Sequence, residues 1–155
     1  MNNSNTKKEI LLWSIAFPGF GQLLNGKLVK GSLFILLEFL VNMNGNINIV
    51  IIASFYWDIK SAVNLANYQW LMFYPCIYVF AIWDAYRDAG GGTAPFTFLP
   101  FVLAAYLGTI GVIFSPTFAI GHHVLGPIWA PILSMCMGVG IGLIIQQYLN
   151  KNYKN

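Results

Sequence analysis

The charged side chains of this chain are gathered into a few short clusters, and long, almost wholly apolar stretches separate them. A soluble domain covers its outside with polar side chains, and about 25% of its residues are charged. Here 8% of 155 residues are charged and 57% are hydrophobic, with a mean hydropathy of +0.65. The outside is therefore expected to face lipid, and the chain to be an all-α integral membrane protein. The net charge of +3 comes from Lys7, Lys8, Lys27, Lys30, Lys60, Arg87, Lys151 and Lys154 against five acids. That is too sparse for a nucleic-acid footprint, so no nucleic acid is expected as a partner, but it is enough to read orientation. Cys76 and Cys136 both fall inside apolar runs, where two separate thiols are expected rather than a disulfide.

Five apolar stretches can be marked: residues 10–24, 28–57, 69–86, 96–115 and 124–148. A hydrocarbon core of about 30 Å takes about 20 helical residues. The last two stretches match that length. The third is acceptable, with Pro75 as a kink and Trp70, Tyr74, Trp83 and Tyr86 as interfacial belts. The second would be about 45 Å long as one rod, and "NMNGN" (Asn42 to Asn46) in its middle predicts a helix broken or bent at Gly45. The first is too short to cross, because "FPGFGQLLNGKLVKG" (residues 17–31) interrupts it with Pro18, Gly19 and Gly21. Lys7 and Lys8 ahead of "ILLWSIAF" have the outline of a signal peptide, but no small-x-small cleavage site follows and the apolar core is broken.

Lys and Arg in short loops collect on the cytoplasmic side, so the basic residues choose among topologies. If residues 10–26 dip in and return as a re-entrant or interfacial helix, seven basic residues lie inside and Lys60 alone lies outside. Both termini are then cytoplasmic, with about four transmembrane helices in a single membrane domain over residues 1–155. A full first crossing sets Lys7, Lys8 and Lys60 against the other five. Two short crossings at 28–43 and 47–62 send Arg87 and the C-terminal lysines to different sides. The re-entrant scheme gives the best split, and its "PGFGQ" turn should pack against later helices, because uncovered non-helical backbone is not tolerated at that depth.

The run "FPGFGQLLNGKLVKG", the Glu-bearing "LFILLEFLVN" and "WLMFYPCIYVFAIWDAYRDA" together resemble a family of small, mostly uncharacterised multi-pass membrane proteins of Firmicutes. That family opens with PGxGQ-xx-NG, closes with WDAYR, and is distantly similar to the two-transmembrane-helix domain proteins. The resemblance extends to "GPIWAP" near residues 126–131. Unlike the two-helix domain, this chain has an extra C-terminal hairpin and lacks the aspartate-bearing loop after the second helix. The resemblance implies a bacterial cell (plasma) membrane and carries no reaction or ligand with it.

Glu38 is the first candidate site residue. A central membrane charge costs about 2.5–3.5 kcal/mol on insertion scales, so such groups face the bundle interior and mark a functional site or a polar contact. Asn42 follows at i+4 and Asn46 at i+8, on one helical face if the helix continues. The functional reading is a proton or cation pathway or a headgroup site. The structural reading, which is preferred, is a carboxyl that ties its helix to the "PGFGQ" turn through Gln22 or backbone N–H groups. The second candidate is "WDAYRDAGGG", where Asp84 and Asp88 share a face and Arg87 lies three residues from Asp84. It is expected to be a helix end with a local salt bridge at the headgroups. A metal would need more ligands than two carboxylates, so no metal or cofactor is expected. His122 and His123 fall in the proposed outer loop, where adjacent side chains do not preform a metal site. Ser134, Gly138 and Gly142, joined by Gly140, make a stripe for close helix packing, within the chain or between copies. Pro18, Gly19 and Gly21 form the structural turn.

No P-loop, catalytic triad order or nucleotide fingerprint is present. The expectation is a non-enzymatic interaction or accessory subunit in a lipid bilayer, with a homo-oligomer or a membrane protein as partner. The alternative is a small-solute or ion permease built around Glu38, and a lipid-modifying enzyme ranks third.

Overall fold

The apolar stretches fold as helices, most of which end where Gly, Asn or Pro breaks the hydrogen-bond ladder, in a computed structural model that describes residues 3–153. Lys154 and the two chain ends, on which the expected placement of the termini rests, lie outside the described residues. The helices are α1 (Asn3–Ala16), α2 (Phe20–Leu24), α3 (Leu28–Gly45), α4 (Ile47–Phe55), α5 (Ile59–Leu65), α6 (Tyr68–Leu71), α7 (Tyr74–Asp88), α8 (Leu99–Phe114) and α9 (Gly126–Tyr153). A two-stranded antiparallel hairpin, β1 (Ala119–Ile120) and β2 (His123–Val124), joins α8 to α9. Two helices, α3 and α9, are long and apolar enough to cross a membrane by length and composition, and α8 is a shorter apolar helix.

The breaks differ from the expected ones in instructive ways. The 28–57 stretch is broken, but at Asn46 rather than Gly45. Asn46 takes the left-handed conformation (φ 58°), which Asn adopts more readily than most residues, and its amide donates to the Leu65 carbonyl at 3.0 Å. Gly45 stays helical, and its carbonyl accepts from the Asn67 N–H. After the break α4 runs for only nine residues. The chain turns at Trp57 (φ 62°), Asp58 caps α5 by accepting from the Ser61 N–H, and α5 returns to bring Leu65 beside Asn46. The 69–86 stretch is divided into α6 and α7, and Pro75 is no kink. It sits in the first turn of α7, where its missing N–H is not needed. The proline inside a helix is Pro131, in α9.

Four helices alternate in direction. Along α3 and α7, Lys30 meets Asp84, Phe34 meets Phe80 with ring centroids 6.1 Å apart, and Glu38 meets Tyr74. Along α7 and α8, Trp83 lies against Phe101 at 5.1 Å and Pro75 against Gly108. Along α8 and α9, Ala104 faces Gly138 and Gly111 faces Ser134. Two small cores, Val41–Ile47–Leu71–Val112 and Val50–Ala62–Ile128, fix α4 to α6 onto the far end of these helices.

The opening segment runs along α7 and turns back. It runs antiparallel to α7, with Lys7 near Gly90 and the Ile15 carbonyl accepting from the Tyr78 hydroxyl at 2.6 Å. Pro18 has no N–H to continue α1, Gly19 takes φ 99°, and α2 leads back until Asn25 donates to the Ala85 carbonyl. Both ends of the segment therefore lie at the Asp84–Gly90 end of α7. Ile10 and Ser14, one turn apart, are buried, while Leu12, Trp13, Phe17, Phe20 and Leu24 are exposed.

Charge separates along this long axis. Lys7, Lys30 and Arg87 share the Asp84–Gly90 end, and Lys151 belongs to the last turn of α9, whose Tyr153 stacks edge-on against Phe96 at 6.3 Å. The opposite end holds Lys60, beside Ile59 packed on Gly126, and Trp57 against His123 at 6.4 Å.

Candidate functional site

The two motifs singled out in the sequence meet each other. Gln22 has no exposed surface, and its amide donates to the Ala81 carbonyl at 2.8 Å and to Asp84 Oδ2 at 3.2 Å. Lys30, in the first turn of α3, reaches across to Asp84 Oδ1 at 2.8 Å and Asp88 Oδ2 at 2.9 Å. Gly21 makes the approach possible: a Cβ there would stand 2.8 Å from the Ala85 methyl and would overlap the Ser14 hydroxyl. The expected local bridge between Asp84 and Arg87 is replaced by this longer-range one. Asp84 and Asp88 lie one turn apart on the side of α7 that faces α3, whereas Arg87 is exposed. The Lys30 side chain is 45% exposed, so its ion pairs orient more than they stabilise. The buried amide of Gln22 carries more energy, because a lost hydrogen bond there leaves an acceptor without water.

The expected grouping of Glu38, Asn42 and Gln22 does not assemble. The buried face of α3 carries Gly31, Phe34, Glu38, Val41 and Gly45 at three- and four-residue steps. Gln22 is committed to α7. Asn42 lies at the edge of that face and donates to Asn48 Oδ1 at 3.0 Å across the α3–α4 break. Glu38, 7% exposed, accepts from the Tyr74 hydroxyl at 3.2 Å through Oε1, while Oε2 is buried with no hydrogen-bond partner among the described residues. Tyr74 stacks on Tyr78 with centroids 5.6 Å apart, and Tyr78 holds the tip of α1 through the Ile15 carbonyl. Both tyrosines line a cleft of about 270 Å³ shared with Ile15, Ile47, Pro131 and Met135.

Ser134, Gly138 and Gly142 all face α8. A Cβ on Gly138 would lie 2.5 Å from the Leu103 carbonyl, and one on Gly142 would overlap Pro100. Gly140, expected to join them, has no neighbour within 4 Å and belongs to the opposite face. His122 and His123 are exposed on the β hairpin, and among the described residues no group of three or more His, Cys, Asp or Glu side chains is placed to hold a metal. Cys76 and Cys136 are free thiols.

Sequence reasoning passed over Asn25, Lys30 and Tyr78, and took Tyr74 for a membrane-belt residue. The available signal was the i, i+4 spacing of Tyr74 and Tyr78, which puts two hydroxyls on one face of α7 at the depth of Glu38. Comparison of the chain with known protein families, with curated proteins and with solved structures finds no match.

Proposed function

We propose that the chain is a four-crossing protein of a bacterial cell membrane, with α3, α7, α8 and α9 spanning, the α1–α2 segment re-entrant, and a non-enzymatic role as an interaction or accessory subunit. The threading is supported by the gathering of Lys7, Lys30, Arg87 and Lys151 at one end of the bundle and Lys60 at the other. Both chain termini then belong to the cytoplasmic side. The resemblance to small multi-pass proteins of Firmicutes supports the choice of membrane.

One observation carries the role: the two polar motifs bind each other. Gln22, Asn25 and Lys30 bind Ala81, Asp84, Ala85 and Asp88, so the amide donors, the lysine and the two carboxylates of these motifs are used to hold the fold, while Arg87 stays exposed. The remaining outer surface is rich in exposed large apolar side chains, suited to lipid and to another membrane helix. Native mass spectrometry of the protein, gently extracted from the membrane that makes it, tests this. A stoichiometric assembly with a second membrane protein or with further copies is expected. A monomer that carries lipid alone in every mild detergent sinks the accessory reading. A permease is the second reading, favoured by the unpartnered Glu38 Oε2. In that case Glu38→Gln abolishes flux in reconstituted vesicles while the fold survives.

A further inference from the structure

Each of the other acids has a simple setting. Asp58 caps α5, Asp84 and Asp88 share Lys30, and Glu9 is exposed. Glu38 is more than nine-tenths buried, has no cation beside it among the described residues, and leaves Oε2 with no partner. A buried carboxylate with one oxygen unpartnered and no cation beside it calls for neutralisation, because the desolvation of its charge is otherwise uncompensated.

The surroundings select the ligand. α3 packs against α2, α4, α6 and α7. From α7, Tyr74 and Tyr78 approach Glu38. Tyr68 of α6 is turned to Ser115, Gln22 of α2 is held by Ala81 and Asp84, and α4 has no ionisable side chain. A metal ion would need several more oxygen ligands than this. A proton needs none. The Tyr74 hydroxyl touches Glu38, and Tyr74 is among the residues that line the 270 Å³ cleft. That volume holds several waters at about 30 Å³ each. Two tyrosines line the cleft, and so do Pro127 and Pro131, of which Pro131 has no N–H to offer the carbonyl of Pro127.

We propose that Glu38 is a proton-binding site within the bundle, exchanging one proton with water in the cleft through the Tyr74 hydroxyl. A hydronium in the cleft gives a proton to the Tyr74 oxygen as Tyr74 passes its own hydroxyl proton to Glu38 Oε1. The carboxylate becomes a neutral carboxyl, the cleft loses one proton, and no electrons move. The site goes beyond the accessory reading and rests only on α3 and α7 lying within the membrane.

A hydrophobic carbodiimide tests the site in reconstituted vesicles. The reagent adds to a protonated carboxyl, which gives its proton to nitrogen and its oxygen to the central carbon, and the acyl group then migrates to nitrogen as a stable acylurea. One adduct on Glu38 is expected, formed faster in acidic than in alkaline buffer, with Glu9, Asp58, Asp84 and Asp88 unmodified. Peptide mapping of the wild-type protein assigns the adduct even where Glu38→Gln does not fold. No adduct on Glu38 in acidic buffer, or equal modification of the surface acids, overturns the site. The path is read separately by infrared spectroscopy, as the rate at which the Glu38 carboxyl band shifts in deuterated buffer. Tyr74→Phe should slow it several-fold and Tyr78→Phe should leave it unchanged, whereas an unchanged rate in Tyr74→Phe removes Tyr74 from the path. Cysteine accessibility of the two bundle ends reports threading independently, so an unreactive Glu38 in a correctly threaded protein sinks the proton site alone.

Discussion

Gln22 and Asp84 lie 62 residues apart in the chain, yet the Gln22 amide is the most enclosed polar group of the lock between α2 and α7. Gln22→Leu leaves the Ala81 carbonyl without its side-chain donor in a site closed to water, and should lower stability by about 1–3 kcal/mol. Gln22→Glu should be worse, because it sets a second carboxylate against Asp84 and the Ala81 carbonyl. Thermal unfolding in a mild detergent measures both, and a neutral Gln22→Leu would mean that the lock contributes nothing. Asp58, at the opposite end, gives a pH signature. The hydrogen bonds from Ser61 hold its carboxyl below the usual carboxylate range. A depressed folded value stabilises above the unfolded one and is lost as pH falls through the folded value, so the α4–α5 hairpin should loosen in acid. Asp58→Asn keeps an acceptor for the Ser61 N–H and should abolish that acid dependence, read by limited proteolysis within residues 56–66. At this scale the sequence marks Glu38, Gln22, Asp84 and Asp88 as notable, because polar groups in apolar runs are costly. Their partners are illegible, since pairing across 36 residues for Glu38 and Tyr74, or 62 for Gln22 and Asp84, depends on how whole helices stack.

Helix ends and helix contacts are more legible than side-chain pairs, because Pro and Gly act locally. The turn at Pro18 to Gly21 follows from proline's missing N–H and from a positive φ at Gly19, both properties of single residues. The break after α3 is displaced by one residue for an equally local reason: Asn46 tolerates the left-handed region and gains a hydrogen bond to Leu65 there. Pro75 misleads because proline reads as a kink in mid-stretch and as a start in a first turn, and only the α6–α7 break decides between them. On α9 the small residues sort by face. Gly138→Val drives a side chain into the Leu103 carbonyl and the Ala104 backbone, and should cost about 1–3 kcal/mol by overpacking. Gly140→Val meets nothing within 4 Å and should leave the stability of the isolated chain nearly unchanged. If the two variants unfold together, the α8–α9 contact is not the close one described. If Gly140→Val instead breaks an assembly while sparing the monomer, the outward face of α9 is where a partner binds.

The whole molecule reads as a bundle with a basic end and an end holding Lys60 and the histidines, and two labelling experiments decide whether that axis is the membrane normal. In a background without Cys76 and Cys136, cysteines replacing Ala94, in the exposed α7–α8 loop, and Asn64 and His123, at the other end, report sidedness. An impermeant thiol reagent applied to intact cells should label the last two and spare the first. Asn25 is unsuitable for this purpose, because its amide is bound to the Ala85 carbonyl. Straightening the opening segment is the sharper experiment. With Pro18, Gly19 and Gly21 all changed to Leu, α1 and α2 could join into one helix over residues 3–24, about 33 Å long at 1.5 Å per residue, enough to cross. The folded bundle cannot accept that helix. A Cβ at position 19 would stand 2.7 Å from the Gly31 carbonyl, and one at position 21 would strike Ser14 and Ala85. The joined helix should therefore leave α7, break the Gln22 lock, and either carry Lys7 and Lys8 across or invert the helices that follow. Either result changes the labelling at residue 94 relative to a cysteine at residue 6. A triple-Leu variant that keeps the wild-type pattern and its unfolding temperature would show that residues 10–26 never turn back within the membrane, and the four-crossing arrangement would fall with them.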